Sequence, residues 1–171
     1  MLKETLKMSD MVIKINETGK YEELIPLFRA SGLEIHVDEE NKPPAMITCW
    51  RADIQGKTEG GVAGGVSIEE KGGCFVIGDI AVREDLRGED VGSLLLARAM
   101  ERIYELGGDE IYLVAKAPKF FEKFGFTYLT PEEAPDIFNC KNCDQRDVNC
   151  FPEFMKFEFE KTFAWHFTTK L

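Results

Sequence analysis

The segment Arg87-Gly88-Glu89-Asp90-Val91-Gly92-Ser93 places an arginine and several small residues where a helical pattern begins. The first four amides of a helix have no partner inside it and carry the positive end of its dipole, so a phosphate or pyrophosphate can dock on them. Glycines at 88 and 92 let a ligand come close to the backbone. A second chemical candidate is the trio Cys140, Cys143 and Cys150, three thiols within 11 residues. Zinc takes four N, S or carboxylate O ligands in a tetrahedron, with Asp144, His166 or Cys74 as candidates for the fourth. A Cys-x-x-Cys pair also suits redox exchange, and free cysteines pack as small hydrophobes. With no evident fourth ligand, no metal is expected. Gly56-Lys57-Thr58 suggests a phosphate loop, but G-x-x-x-x-G-K-T requires glycine at position 51, where Arg51 stands. His36 and His166 have no ligand spacing.

The elements that must position these groups are legible in outline. Met11 to Ile15 is β-prone, and Asn16-Glu17-Thr18 predicts the cap of a helix carrying Tyr21, Leu24, Ile25 and Phe28, stopped by Gly32. Residues 36–45, with Asp38-Glu39-Glu40 and Pro43-Pro44, read as an exposed connection. From Met46 to Val82 the pattern predicts a meander of two or three antiparallel strands, with Gly60-Gly61, Gly64-Gly65 and Gly72-Gly73 expected at turns and bulges. A helix from about Val91 to Leu106 follows, with Leu96, Ala99, Ile103 and Leu106 on one face. Glu110 to Ala115 is apolar enough for a strand buried on both faces, completing one βαβ unit. A short helix, Lys119 to Phe124, and two strand-like runs, 126–129 and 154–159, complete the pattern.

The run from Ile77 to Leu95, IGDIAVREDLRGEDVGSLL, resembles the acyl-coenzyme A-binding segment of GNAT N-acetyltransferases. Phe120-Phe121-Glu122-Lys123-Phe124-Gly125-Phe126 resembles the second shared segment of that family. Fainter still, Cys140 to Met155 resembles the C-terminal segment of small archaeal-type amino-acid acetyltransferases. The GNAT resemblance implies an α/β (α+β) fold in one domain, residues 1–171: a splayed mixed β-sheet of about six to seven strands with helices on both faces. It also implies acetyl-CoA as cosubstrate, its pantetheine arm lying between the parting strands 74–82 and 110–116.

On that resemblance the cofactor contacts fall on Ile80, Ala81 and Val82, on Arg87, Gly88, Glu89, Asp90, Val91, Gly92 and Ser93, and on Phe121. An amide near Ile80 or Val82 would stabilise the oxyanion, and a primary amine of a small molecule would attack directly, with no catalytic cysteine. Asp79 and Glu122 are the candidate general bases. Two departures stand out. The family's R-x-x-G-x-G has its first glycine replaced by Asp90, whose carboxylate can cap the very amides a pyrophosphate wants, unless it turns outward and Arg87 compensates. Phe121 stands where many members carry a tyrosine acid, leaving Tyr112, Tyr128 or water to protonate the departing thiolate, itself a good leaving group. These departures also motivate the alternative of a non-catalytic coenzyme A-binding or sensing module.

Thirty-one acidic against 21 basic residues give a net charge of −10, which repels a polyanion, so no nucleic-acid partner is expected. Composition is that of a globular chain, with 44% hydrophobic and 30% charged residues over 171 positions, enough for a core without staples. No run reaches membrane-spanning length, and Met1 to Met8 lacks the apolar stretch of a secretory signal, so a cytoplasmic location is expected. Trp50, Trp165 and the Phe-rich run 151–167 are expected to serve core packing or a homodimer seam.

Overall fold

The computed structural model describes residues 5–8, 11–55, 61–88, 90–138, 141, 148 and 151–160. Its strands are β1 (Thr5–Met8), β2 (Met11–Glu17), β3 (Met46–Gln55), β4 (Val62–Lys71), β5 (Cys74–Val82), β6 (Glu110–Ala115), β7 (Thr127–Leu129) and β8 (Glu153–Glu158). They form one mixed sheet in the order β1-β2-β3-β4-β5-β6-β8-β7. The expected six to seven strands become eight because β1 adds to the edge, paired antiparallel with β2 from Thr5↔Lys14 to Met8↔Met11. The helices are α1 (Ile25–Ala30), α2 (Val91–Glu105) and α3 (Pro118–Glu122). Every neighbouring strand pair is antiparallel except β5 and β6, which α2 joins as a parallel crossover.

Alternation along β3 explains why α1 and α2 take opposite faces. Trp50, Ala52 and Ile54 enter the larger core beneath α2, whereas Cys49 joins Tyr21, Leu24 and Phe28 on the α1 face. On α2, Leu95, Leu96, Ala99 and Ile103 are fully buried, each large apolar side chain contributing about 1.5–3 kcal/mol. Leu106, expected on that face, lies just past the helix end and is 48% exposed. Phe154, Met155 and Phe157 of β8 are likewise in the core of this chain.

Two expectations need correction. Thr18 caps no helix. β2 runs on through Glu17, a 3-10 turn follows at Tyr21–Glu23, and α1 starts only at Ile25, where Pro26 suits a first turn. Gly64-Gly65 marks no turn but sits inside β4, beside the register shift between Ala52↔Gly64 and Asp53↔Val62 that fits the expected bulge, and a Cβ on Gly64 would come within 2.9 Å of Leu95 Cδ1 and one on Gly65 within 2.7 Å of Leu24 Cδ2. Both layers press onto the sheet at this point, and the absent side chains let them.

Candidate active site

The parallel pair β5–β6 is joined at only two positions, Phe75↔Ile111 and Val76↔Tyr112. Beyond them β5 continues to Val82 and β6 to Ala115 without pairing, so the sheet opens into a wedge toward the C-terminal ends of both strands. Backbone alternation decides which groups face the gap. Arg83 N–H donates to Ala63 C=O at 2.8 Å and Asp79 N–H to Ser67 Oγ at 3.0 Å, both toward β4. The intervening amides of Ile80 and Val82 therefore point across the wedge. Val82 C=O points the same way and accepts from Arg87 Nε at 3.1 Å, setting that guanidinium at the wedge mouth.

Past the mouth, Gly88 (φ 83°) and Asp90 (φ 64°) turn the chain through left-handed conformations into α2. The first helical bond runs from Leu94 N–H to Asp90 C=O at 3.1 Å, so the amides of Val91, Gly92 and Ser93 lie ahead of the ladder. Asp90 makes no side-chain cap bond. The expected capping by its carboxylate is not made: Asp90 holds a left-handed backbone, which aspartate tolerates better than most residues, and its side chain bonds none of these amides. Opposite them, Phe120 lies 3.4 Å from where a Gly92 Cβ would be, whereas Phe121 packs in the core at 6% exposure.

Asp79 owes its position to a β-bulge. Val66 pairs with Ile80 and Ile68 with Ile77, so Gly78 and Asp79 together face Ser67. Both consequently turn to the α1 side, opposite Ile80. Glu69 lies against Gly78, its Oε2 where a Cβ on that residue would need room. Asp79 is half-buried rather than solvent-facing, and Tyr21 donates its hydroxyl to Asp79 Oδ2 at 2.7 Å. Burial pushes the Asp79 carboxyl above its ordinary range, against the Tyr21 hydrogen bond and the charges of Lys71 and His36, which lower it. Burial also raises Glu69, and the neighbouring Asp79 charge adds to the effect, while Lys71 at 3.6 Å opposes it. Tyr21 and Glu69 escaped sequence reasoning because they lie 58 and 10 residues from Asp79 and carry no local motif.

Of the remaining candidates, Ala81 faces the α1 side and is buried, packed with Tyr21 and Leu24. Glu122 is exposed on α3. Tyr112 sits where β5 and β6 are still paired and donates its hydroxyl to Glu110 at 2.7 Å, while Tyr128 is 45% exposed on β7. Tyr112 thus stands at the paired end of these strands rather than in their parted stretch. Glu89, Cys140, Cys143, Cys150, Asp144, Trp165, His166 and the Gly56-Lys57-Thr58 segment lie outside the described residues. Among the described residues, no group of three His, Cys, Asp or Glu side chains is placed to hold a metal ion, and no helix is long and apolar enough to cross a membrane. A cleft of about 640 Å³ at the closed end of the β5–β6 pair, between Cys74 and Glu158, lies at the N-terminal ends of these strands, away from the wedge.

Comparison with known proteins points to the same fold. Residues 46–128 match the sequence profile described as an acetyltransferase (GNAT) domain. An acetyltransferase of the GNAT family from Staphylococcus aureus Mu50 superposes with a TM-score of 0.64 at 18% identity, over 86% of this chain and 99% of that one. A Bacillus subtilis acetyltransferase in complex with CoA gives 0.60 at 20% identity, over 86% and 99%. N-acetylglutamate synthase from Neisseria gonorrhoeae, complexed with coenzyme A and N-acetyl-glutamate, gives 0.65 at 17% identity, over 91% of this chain and 36% of that one. No functionally curated protein matches by sequence.

Proposed function

We propose that this protein, whose residues 46–128 match the profile of an acetyltransferase (GNAT) domain, transfers an acetyl group from acetyl-CoA to a primary amine of a small molecule by direct attack. The observation that carries the reading is the wedge, with its two inward amides, leading to helix amides that Asp90 does not cap. That arrangement suits an extended arm with a diphosphate at one end.

Val91, Gly92 and Ser93 would hold the diphosphate by their N–H groups, with Arg87 beside it, and Ile80 and Val82 would bond the arm in place of a neighbouring strand. Acetyl-CoA supplies an activated acyl carbonyl. Ile80 N–H is the donor for the oxygen on which charge develops, and a fixed donor of this kind contributes about 3–4 kcal/mol. Asp79, on the α1 side, takes the proton that the amine nitrogen loses as its bond to the carbonyl carbon forms. Its raised affinity for a proton suits a base working near neutral pH. The departing thiolate is stable enough to leave without a protein acid and takes its proton from water.

Calorimetry with acetyl-CoA, followed by thiol release with a panel of primary amines, tests the proposal. Binding followed by amine-dependent thiol release is expected. Absence of binding at millimolar ligand would refute it, and binding without release would leave the sensing module as the function.

A further inference from the structure

Resting on the reading of the wedge as an acetyl-transfer site, we infer that Tyr21 is a positioning residue of the reaction, its hydroxyl fixing the Asp79 carboxylate on the α1 side of the sheet. The hydroxyl donates to Asp79 Oδ2 at 2.7 Å, while the Asp79 backbone donates to Ser67 Oγ at 3.0 Å, so the residue is held at both ends. With Oδ2 engaged, Oδ1 is the oxygen left for an amine. Tyr21 is itself immobile: it is fully buried, its ring lies 5.5 Å from that of Phe28, and its 3-10 turn is tied to β3 by Arg51 Nη1 to Glu23 Oε2 at 2.8 Å.

Packing does not explain the hydroxyl. A phenylalanine would fill the same core volume without burying a polar atom, but it would leave the Asp79 carboxylate without its donor. What the hydroxyl adds is a directional bond to a charged, partly desolvated carboxylate. The other titratable groups around Asp79 are Glu69 and Lys71 of β4 and His36 beyond α1, with Cys49 of β3 beside Tyr21. Among the described residues none of these donates a hydrogen bond to the carboxylate, so Tyr21 is the group that sets its orientation.

Tyr21→Phe tests the inference. Loss of a hydrogen bond to the charged form makes Asp79 easier to protonate, so the acidic limb of kcat/KM for the amine moves to higher pH. The same quantity falls roughly tenfold near neutrality. The dissociation constant for acetyl-CoA is unchanged, and carbon-13 NMR shows the Asp79 carboxyl titrating at higher pH than in the parent. In an Asp79→Asn background, adding Tyr21→Phe costs no further activity. An active parent whose Tyr21→Phe form keeps the limb and the Asp79 titration unmoved overturns the inference alone, as does a loss that repeats in full on Asp79→Asn. A parent that acetylates no amine overturns the reading of the site and this inference with it.

Discussion

Two aspartates occupy positions that cost the fold something, and each cost is measurable. Asp90 holds φ at 64°, a conformation that costs a non-glycine residue on the order of 1 kcal/mol. Asp90→Gly removes that strain, and removes a negative charge beside the amides proposed to hold a diphosphate. Thermal unfolding is expected to shift upward by a few degrees, and calorimetry to show severalfold tighter coenzyme A binding. Asp79 costs stability through desolvation. A carboxyl whose folded pKa is raised is best tolerated while protonated, so its penalty is absent below the unfolded pKa and fully present once pH has passed the raised folded value. Asp79→Asn is therefore expected to unfold no earlier than the parent at neutral pH, with the difference closing as pH falls through the carboxylate range. The same substitution should lower acetyl transfer about 100-fold. Glu17 works in the opposite sense. Hydrogen bonds from Arg102 and Thr48 hold its carboxyl below its ordinary range despite burial, so its contribution is lost on acidification.

Between β5 and β6 the decisive feature is how little pairs them. With two register positions bonded and the rest parted, the Ile80 and Val82 amides should exchange with solvent far faster than the paired amides of the β3–β4 ladder. On addition of coenzyme A they should become protected, as followed by hydrogen exchange. An unchanged rate in the bound state would place the arm elsewhere. This level is also where the sequence proved most and least informative. The β5–α2–β6 unit was legible within a residue at each end, because an apolar strand, a 3.6-residue stripe and a glycine stop agree over residues 74–115. The bulge at Gly78–Asp79 left no mark, since one extra residue does not disturb a run already apolar and small. β1 was invisible because Thr5–Met8 carries alternating polar residues and lies at an edge. The glycines inside β4 misled, because close approach of two packed layers selects the same residue as a turn does. Tyr21 read as one more apolar residue on a helical stripe, and only the fold could bring it to Asp79.

The whole molecule carries a net charge of −10, and the ligand proposed for the wedge is itself a polyanion. Arg83 is bound to Asp85 at 2.7 Å, and Arg87 already serves Val82 C=O, so the local positive charge is modest. Long-range repulsion should slow encounter at low salt, and screening should relieve it as the Debye length falls from about 30 Å at 0.01 M to about 8 Å at 0.15 M. Stopped-flow measurement is expected to show association of coenzyme A speeding up severalfold over that range. A cationic amine should respond in the opposite direction, its KM rising with salt. A flat profile for both would mean that Arg83 and Arg87 cancel the field at the wedge.

The narrow junction between β5 and β6 divides the sheet into a five-strand portion and a three-strand portion, spliced at one end. An arm seated there would act as a ninth strand that the polypeptide does not encode, closing a seam otherwise left unsewn. The stiffness of this protein, and its resistance to heat, would then track the metabolite supply of its surroundings.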